Sequence, residues 1–176
     1  MELWRKGLIN YTWGNVSEVD RDAGLVAIKP SGVAYDCMKV EDIVVLELET
    51  GRQVEGKLRP SSDTPTHLAL YRAWADVGGV THTHSRYATA WAQSGQPLPC
   101  YGTTHADYFY RDVPCTRPLT PDEIEVEYEA NTGRVIVETF QGRDPMAAPA
   151  ALVCGHGPFT WGRTGMKSVE NAVVLE

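Results

Sequence analysis

The chain has 176 residues, a length typical of one domain with a core of its own. Apolar residues make up 43% and charged residues 22%, a composition that excludes an intrinsically disordered chain. Acidic residues outnumber basic ones by 23 to 16, and the net charge of −7 disfavours binding to nucleic acid or to an anionic membrane. We find neither a run of about 18 apolar residues nor a secretory signal. We therefore expect one domain over residues 1–176 that binds neither nucleic acid nor membrane.

The four cysteines are widely spaced, and none belongs to a CxxC motif. This usage predicts reduced thiols in a cytoplasmic protein and disfavours a disulfide framework or a thiolate zinc site. The four are Cys37, Cys100, Cys115 and Cys154.

In chain order, the first third of the sequence predicts strands joined by polar turns. Short aliphatic and β-branched runs bounded by Gly, Pro, Ser or Asp are typical of strands. We expect strands at 16–19, 25–28, 43–48, 80–84 and 151–154. A hairpin turn at 49–52 closes the third of them.

Helices are expected where apolar residues recur at helical spacing. The first begins at Pro65 with Thr64 as its N-cap, because proline suits the first helical position, and it ends at Gly78. The segment 134–140 is ambiguous, since its valine and isoleucine residues favour a strand while their spacing also permits a helix. Further helices are expected over 85–93, from 121, and over 166–176.

The last predicted helix reaches Glu176 without a C-cap glycine, a basic last turn or a following proline. We therefore expect the sequence to be a fragment of a longer chain. The apolar face of this helix is expected to lie bare or to find a partner.

Two histidines, His82 and His84, alternate along one predicted strand. Residues i and i+2 of a strand lie about 7 Å apart on the same face, a spacing that suits two ligands of one divalent ion. The plain alternative is a pair of surface histidines at a strand edge. His156, between two glycines after a buried strand, and His105 are further candidates. Three histidines with one carboxylate would form a catalytic site that leaves a position for substrate.

Three small polar turns offer backbone N–H groups and short side chains to an anion, and Lys29 adds a positive charge nearby. The third turn also precedes a helix, whose N-terminus attracts phosphate. Taken singly, each is an ordinary turn, and the absence of Walker and GxGxxG patterns gives no indication of a nucleotide. The residues concerned are Gly14, Asn15, Ser31, Gly32, Ser61 and Ser62.

One further carboxylate, Asp107, lies among aromatic residues in a segment predicted to be a loop. Partial desolvation there would raise the pKa of its carboxyl group and suit proton transfer. An ordinary turn aspartate is the alternative.

Six stretches together are more specific than any of these signals alone. Their sequences are TWGNVS at 12–17, IKPSGV at 28–33, PSSDTPTH at 60–67, THTHSR at 81–86, GTTHADYF at 102–109 and GHGPF at 155–159. In this order the chain resembles the L-ribulose-5-phosphate 4-epimerases of the class II aldolase/epimerase superfamily over nearly its whole length. The resemblance implies a three-layer α/β/α fold with a central mixed, largely antiparallel sheet, and it favours a helix at 134–140.

For the site, the resemblance implies zinc, or another divalent ion such as manganese, on His82, His84 and His156, with Asp63 near or on the metal. It implies that the three polar turns, with Lys29 nearby, hold the phosphate of a phosphorylated pentulose, and that Asp107 is an acid/base. Homotetramers with active sites at subunit contacts are expected. Relative to the resembled family, an N-terminal helix and a C-terminal segment carrying a second acid/base tyrosine have no counterpart in these residues.

Two rival functions stay open at this point. A sugar-phosphate aldolase or related lyase would use the same metal, but an aldolase would tend to carry Glu where this chain has Asp63. A non-catalytic module of the same fold, like the adducin head, would be favoured by loss of the metal histidines, which are all present.

Overall fold

The computed structural model describes all 176 residues. Seven strands form a single sheet, and seven helices and one 3₁₀ turn at Val40–Asp42 surround it. The strands are β1 (Asn15–Asp20), β2 (Leu25–Ile28), β3 (Val44–Glu47), β4 (Gln53–Glu55), β5 (Gly79–His82), β6 (Ala150–Leu152) and β7 (Pro158–Gly162). The helices are α1 (Glu2–Arg5), α2 (Thr64–Ala73), α3 (Arg86–Gln93), α4 (Thr103–Tyr108), α5 (Pro121–Glu125), α6 (Tyr128–Thr139) and α7 (Gly165–Leu175).

The sheet has the strand order β4-β3-β2-β1-β5-β7-β6, and every neighbouring pair is antiparallel. The sheet was expected to be mixed and largely antiparallel, and all of its strand pairs are antiparallel. A single parallel bridge, between Cys115 and Leu152, lies outside these strand pairs. At one end of the central strands, Asn15 of β1 pairs with His82 of β5, and His82 also pairs with Phe159 of β7. This register gathers three chemistry-bearing segments at one end of the three central strands.

Helices cover both faces of the sheet, because alternate residues of the central strands are apolar on each side. On one face Trp161 of β7 packs in a core with Tyr71 of α2 and Ile136 of α6. On the other face Leu152 of β6 packs with Leu175 of α7 and with α3. The three-layer α/β/α architecture is confirmed.

Four local predictions need correction. Strand β5 ends at His82, so His84 lies in the following loop. Helix α2 starts at Thr64 with Asp63 as its N-cap, one residue earlier than expected, and it ends at Ala73, before Gly79 enters β5. The segment around Asp107 is helix α4 and not a loop.

Residues 134–140 lie almost entirely in α6, as the resemblance implied. Val135 and Ile136 are fully buried in this helix, so packing outweighs the strand propensity of the segment.

The final helix is tied down within the chain. Thr164 accepts a hydrogen bond from the N–H of Lys167 at its start, and Leu175 is buried near its end. The carboxylate of Glu176 accepts hydrogen bonds from the backbone N–H groups of Tyr87 and Ala88 at 2.9 Å each, which caps α3. The apolar face of α7 therefore finds its partner in the sheet.

All four cysteines are free thiols. None of the helices combines the length and apolarity that a membrane crossing requires.

Candidate metal and substrate site

Three histidines from two loops and a strand end converge at this end of the sheet. The nearest ring nitrogens of His82, His84 and His156 all lie within 4.8 Å of one another. His82 ends β5, His84 follows it by two residues, and His156 lies in the turn between β6 and β7. The convergence that the spacing predicted is therefore present, although His84 reaches it from outside the strand.

The tautomer of His82 is fixed by its hydrogen bond. Its Nδ1 lies 2.9 Å from the carbonyl oxygen of Pro158, an acceptor, so Nδ1 carries the proton. Its Nε2 is buried without a hydrogen-bond partner. The ring also stacks on Phe159 at 4.1 Å between centroids. A buried lone pair with no partner, facing two other imidazoles, is what a metal ligand would present.

The other two histidines have matching geometry. The Nε2 atoms of His84 and His156 lie 3.3 Å apart. Two metal–nitrogen bonds of about 2.05 Å at the tetrahedral angle separate their nitrogens by about 3.3 Å. The Nδ1 of His156 lies 3.2 Å from the hydroxyl oxygen of Tyr128, which fixes the ring from behind. The three residues fit a divalent ion bound through Nε2.

Burial keeps these imidazoles neutral, as metal ligation requires. Desolvation lowers the pKa of His82 well below its usual value, and the neighbouring His156 and His84 lower it further. Desolvation also lowers the pKa values of His84 and His156, against an opposing effect of the Asp63 carboxylate.

Asp63 lies beside the histidines but not among them. Its Oδ2 accepts a hydrogen bond of 2.6 Å from the side-chain amide of Asn15. The same amide donates to the hydroxyl of Ser61 at 3.0 Å, so Asn15 ties the carboxylate to the third polar turn. The structure gathers three nitrogen ligands and places Asp63 in the adjoining wall.

The histidines open onto a cavity of about 420 Å³. All six residues of the predicted anion-binding turns line it, together with Asp63, His84 and His156. His82 lies beneath, fully buried. The complete lining is Thr12, Trp13, Gly14, Asn15, Lys29, Pro30, Ser31, Gly32, Ser61, Ser62, Asp63, His84, Tyr128, Glu129 and His156.

The polar turns divide into groups that hold the loops and groups that face the cavity. The N–H of Ser31 donates to the carbonyl of Arg59, and the N–H of Ser61 donates to the carbonyl of Lys29, so both are used within the protein. The N–H groups of Gly32 and Ser62 have no protein acceptor, and both residues are exposed. Gly32 has a φ of +72°, a conformation that favours glycine.

Lys29 lies beside the polar turns, as expected, but its amine is engaged within the protein. Its side chain is buried, and its Nζ donates to the carbonyls of Val33 at 2.8 Å and Pro30 at 3.1 Å, with Thr12 at 3.5 Å. Its three donors are therefore engaged by the loops that carry the turns. Burial lowers the pKa of its amine. Lys29 therefore contributes a charge in the cavity wall and no free donor.

The structure does not bring Asp107 to the histidines of the same chain. It is exposed on α4 and lines a separate depression with Gly162 and Lys167. Gly162 ends β7 opposite Gly79, whereas the histidine cluster lies at the other end, where Phe159 pairs with His82. The desolvation expected for Asp107 is absent.

Several residues of the site gave no signal in the sequence. Tyr128 and Glu129 reach the cavity because α6 starts beside it, directly after Glu127 in a left-handed conformation with φ +54°. Trp13 belongs to the TWGNVS stretch at 12–17, but nothing in that local sequence indicates its role. His105 is not part of the cluster; its Nε2 lies 2.9 Å from the carbonyl oxygen of Arg111.

Comparisons with known proteins identify the family of this chain. The family model described as "Class II Aldolase and Adducin N-terminal domain" matches residues 1–176. The chain is 57% identical, over all 176 residues and 77% of the relative, to the L-ribulose-5-phosphate 4-epimerase UlaF of Salmonella paratyphi B (strain ATCC BAA-1250 / SPB7). The same values hold for the protein of that name from Salmonella typhi.

Solved structures share the fold. An L-fuculose 1-phosphate aldolase superposes with a TM-score of 0.79 at 29% identity, covering 99% of this chain and 77% of that one. The L-fuculose-1-phosphate aldolase of Thermus thermophilus gives 0.76 at 25% identity, covering 99% and 84% of the two chains.

Proposed function

Since the chain belongs to the class II aldolase and adducin N-terminal domain family, we propose that it acts on a sugar phosphate as an L-ribulose-5-phosphate 4-epimerase. The observation that carries this proposal is a cluster of three histidine nitrogens beside a cavity lined by three polar turns, two of which offer free N–H groups. A site of that kind can hold a metal-binding ketose at one end and its phosphate at the other. The product is D-xylulose 5-phosphate.

His82, His84 and His156 would hold zinc or another divalent ion such as manganese. When bound, such an ion supplies Lewis-acid stabilisation for negative charge on substrate oxygens. The protein contributes neutral imidazoles: the carbonyl of Pro158 fixes the tautomer of His82, and the hydroxyl of Tyr128 contacts Nδ1 of His156. We propose that Asp63 lies near the bound ion or coordinates it as a fourth protein ligand.

The phosphate would lie on the turns. The free N–H groups of Gly32 and Ser62 would donate to it, the hydroxyls of Ser31 and Ser62 adjoin it, and Asn15 holds the wall through its bonds to Ser61 and Asp63. Gly14 and Ser61 shape the wall, and Lys29 supports it electrostatically from behind.

The reaction has to break a carbon–carbon bond. The hydrogen on C4 is not acidic, because the ketone is at C2. Removal of the C4 hydroxyl proton lets the C3–C4 bond cleave to a three-carbon enediolate and glycolaldehyde phosphate. The aldehyde turns while its phosphate stays anchored, and the bond forms again on its other face. The sum is inversion at C4 without loss of atoms.

Asp107 is proposed to move a proton at the C4 oxygen, but in a neighbouring copy's site. Because Asp107 lies near the far end of β7, it cannot reach the histidines of its own chain. Its side chain is exposed and therefore free to contact another subunit. This assignment accompanies a homotetramer with active sites between subunits.

An aldolase is the second candidate, because solved structures of this fold are named as aldolases. It would share the metal and the phosphate turns but release the aldehyde. The carboxylate of Asp63 is held by Asn15, an arrangement that favours a structural role over that of a free base.

The test is product analysis with L-ribulose 5-phosphate, in the presence of the divalent ion and after its removal by EDTA. We expect metal-dependent D-xylulose 5-phosphate. Metal-dependent release of glycolaldehyde phosphate as the main product would support the aldolase instead.

A further inference from the structure

One large apolar surface in the cavity has no role in the chemistry above. Of the fifteen lining residues only two are large and hydrophobic, Trp13 and Tyr128, and the hydroxyl of Tyr128 already contacts Nδ1 of His156. Trp13 lies on the metal side, with its ring centroid 5.9 Å from that of His84. Its side chain is 52% exposed, so it is not placed there to fill the core.

The backbone holds this ring in position from both sides. The N–H of Trp13 donates to the carbonyl of Asn10 at 3.1 Å, and the amide of Asn10 donates to the carbonyl of His84 at 3.3 Å. On the other side Gly14 has a φ of +81°, and a Cβ there would meet Ile9 at 2.7 Å. The backbone at Trp13 is therefore held close to the loop that carries His84.

A second aromatic residue supports the ring. Tyr11 packs edge-on against Trp13 at 5.4 Å between centroids. Tyr11 is itself 83% exposed and has a φ of +55°, an uncommon conformation for a residue other than glycine. Trp13 thus lines the cavity with an exposed aromatic face, and Tyr11, which is not itself a lining residue, packs against it.

The proposed reaction needs such a wall. After C3–C4 cleavage the aldehyde must make a half-turn about the bond to its phosphate-bearing carbon. A hydrogen-bonding wall would hold the aldehyde oxygen in one pose, and open solvent would let the fragment leave. An aromatic face offers contact without a directional hydrogen bond and keeps water out.

We propose that Trp13, supported by Tyr11, is the specificity-determining wall that lets the aldehyde turn and retains it until the bond forms again. Trp13 acts by contact and takes no proton. This inference rests on the proposed function, because it assigns the residue that would separate an epimerase from an aldolase at this site.

The experiment compares Trp13→Ala and Trp13→Phe with the unaltered chain in L-ribulose 5-phosphate, following pentulose phosphates and glycolaldehyde phosphate by ³¹P NMR. For Trp13→Ala we expect the share of turnovers that end in aldehyde release to rise about tenfold, with Trp13→Phe between the two. Bound metal and affinity for inorganic phosphate should not change. Trp4→Ala is the matched control, since Trp4 is 48% exposed and lies outside the cavity.

An unchanged release share in Trp13→Ala would overturn the proposal, as would loss of bound metal or of phosphate affinity in that variant. If the unaltered chain neither epimerises nor cleaves the substrate, the proposed function fails. Calorimetric measurement of ligand binding then tests the role of Trp13 independently of turnover. Its role as a contact wall predicts about tenfold weaker D-xylulose 5-phosphate binding in Trp13→Ala with inorganic phosphate unaffected. Equal changes for both ligands would contradict it.

Discussion

At the scale of single residues, the site depends on which ring nitrogen of each histidine is free. The carbonyl of Pro158 accepts a hydrogen bond from Nδ1 of His82, and the hydroxyl of Tyr128 lies against Nδ1 of His156. The Nε2 atoms are thereby left to face one another, two of them 3.3 Å apart. Without a cation, one of these two nitrogens can donate a hydrogen bond to the other, and a bound ion would replace that bond with two metal–nitrogen bonds.

Replacing one ligand should therefore empty the site. We expect His84→Ala to lose most of its bound divalent ion, because two nitrogens hold such an ion much less firmly than three. Activity should fall with it. Metal content measured by inductively coupled plasma mass spectrometry checks this, with His105→Ala as the control, since His105 lies outside the cluster. Unchanged metal content in His84→Ala would refute the assignment.

A buried histidine outside the cluster gives a pH prediction. Desolvation lowers the pKa of His67 to about 3. The unfolded chain, with a histidine pKa of about 6.5, binds the proton first, so stability is complete above that pH and falls on acidification. Between pH 6.5 and 5 the loss from this residue is about 2 kcal/mol.

The measurement is urea denaturation with EDTA at pH 7 and pH 5, comparing the unaltered chain with His67→Gln. Because glutamine does not titrate, we expect the variant to lose about 2 kcal/mol less stability over this range. Equal losses in both proteins would show that His67 is not the group responsible. The Nδ1 of His67 lies 2.6 Å from the hydroxyl of Ser17, and the variant is expected to fold.

At the scale of elements, the three polar turns work together through Asn15. Its amide holds both the Ser61 hydroxyl and the Asp63 carboxylate. We expect Asn15→Ala to raise KM for the phosphorylated sugar about tenfold or more, because it removes the bonds that position Ser61 and Asp63. A hydrogen bond to a charged group such as the Asp63 carboxylate contributes roughly 1.5–3 kcal/mol. Steady-state kinetics with Gln141→Ala, an exposed amide elsewhere, as control would test this. Equal affinity for L-ribulose and its 5-phosphate would contradict the phosphate site.

The elements also show what the sequence could predict. The pattern at 82–84 placed two histidines together, but pairing with β1 and β7 ends the strand at His82, and no local pattern encodes that limit. The strand propensity at 134–140 is overridden by burial in α6. Lys29 was expected near the anion because of its charge, but its amine donates to the carbonyls of Pro30 and Val33 in its own loop, and no residue pattern predicts that local capture. Tyr128 had no local signal for the same reason.

At the scale of the whole molecule, the position of Asp107 bears on how copies of the chain assemble. It lies near the opposite end of β7 from the histidines, so a catalytic role requires a second copy of the chain. We expect Asp107→Asn to lower kcat about 10²–10⁴-fold with normal metal content, because general acid–base catalysis contributes that much. Loss of metal or of the fold in this variant would make the segment structural.

Mixing two inactive variants tests the arrangement between subunits. In hybrids of His84→Ala and Asp107→Asn, a site between copies combines the metal ligands of one chain with the Asp107 of the other. We expect activity to return after the two are unfolded and refolded together. If Asp107 served its own chain, every hybrid site would lack one of the two groups and the mixture would stay inactive.

The central claim is metal-dependent inversion at C4 by carbon–carbon cleavage, and NMR of the product formed in D₂O tests it most directly. The account predicts D-xylulose 5-phosphate that keeps hydrogen at C4, because the C4–H bond is never broken. EDTA should abolish its formation, and added zinc or manganese should restore it. Deuterium at C4, or product formation that persists after the divalent ion is removed, would contradict the account.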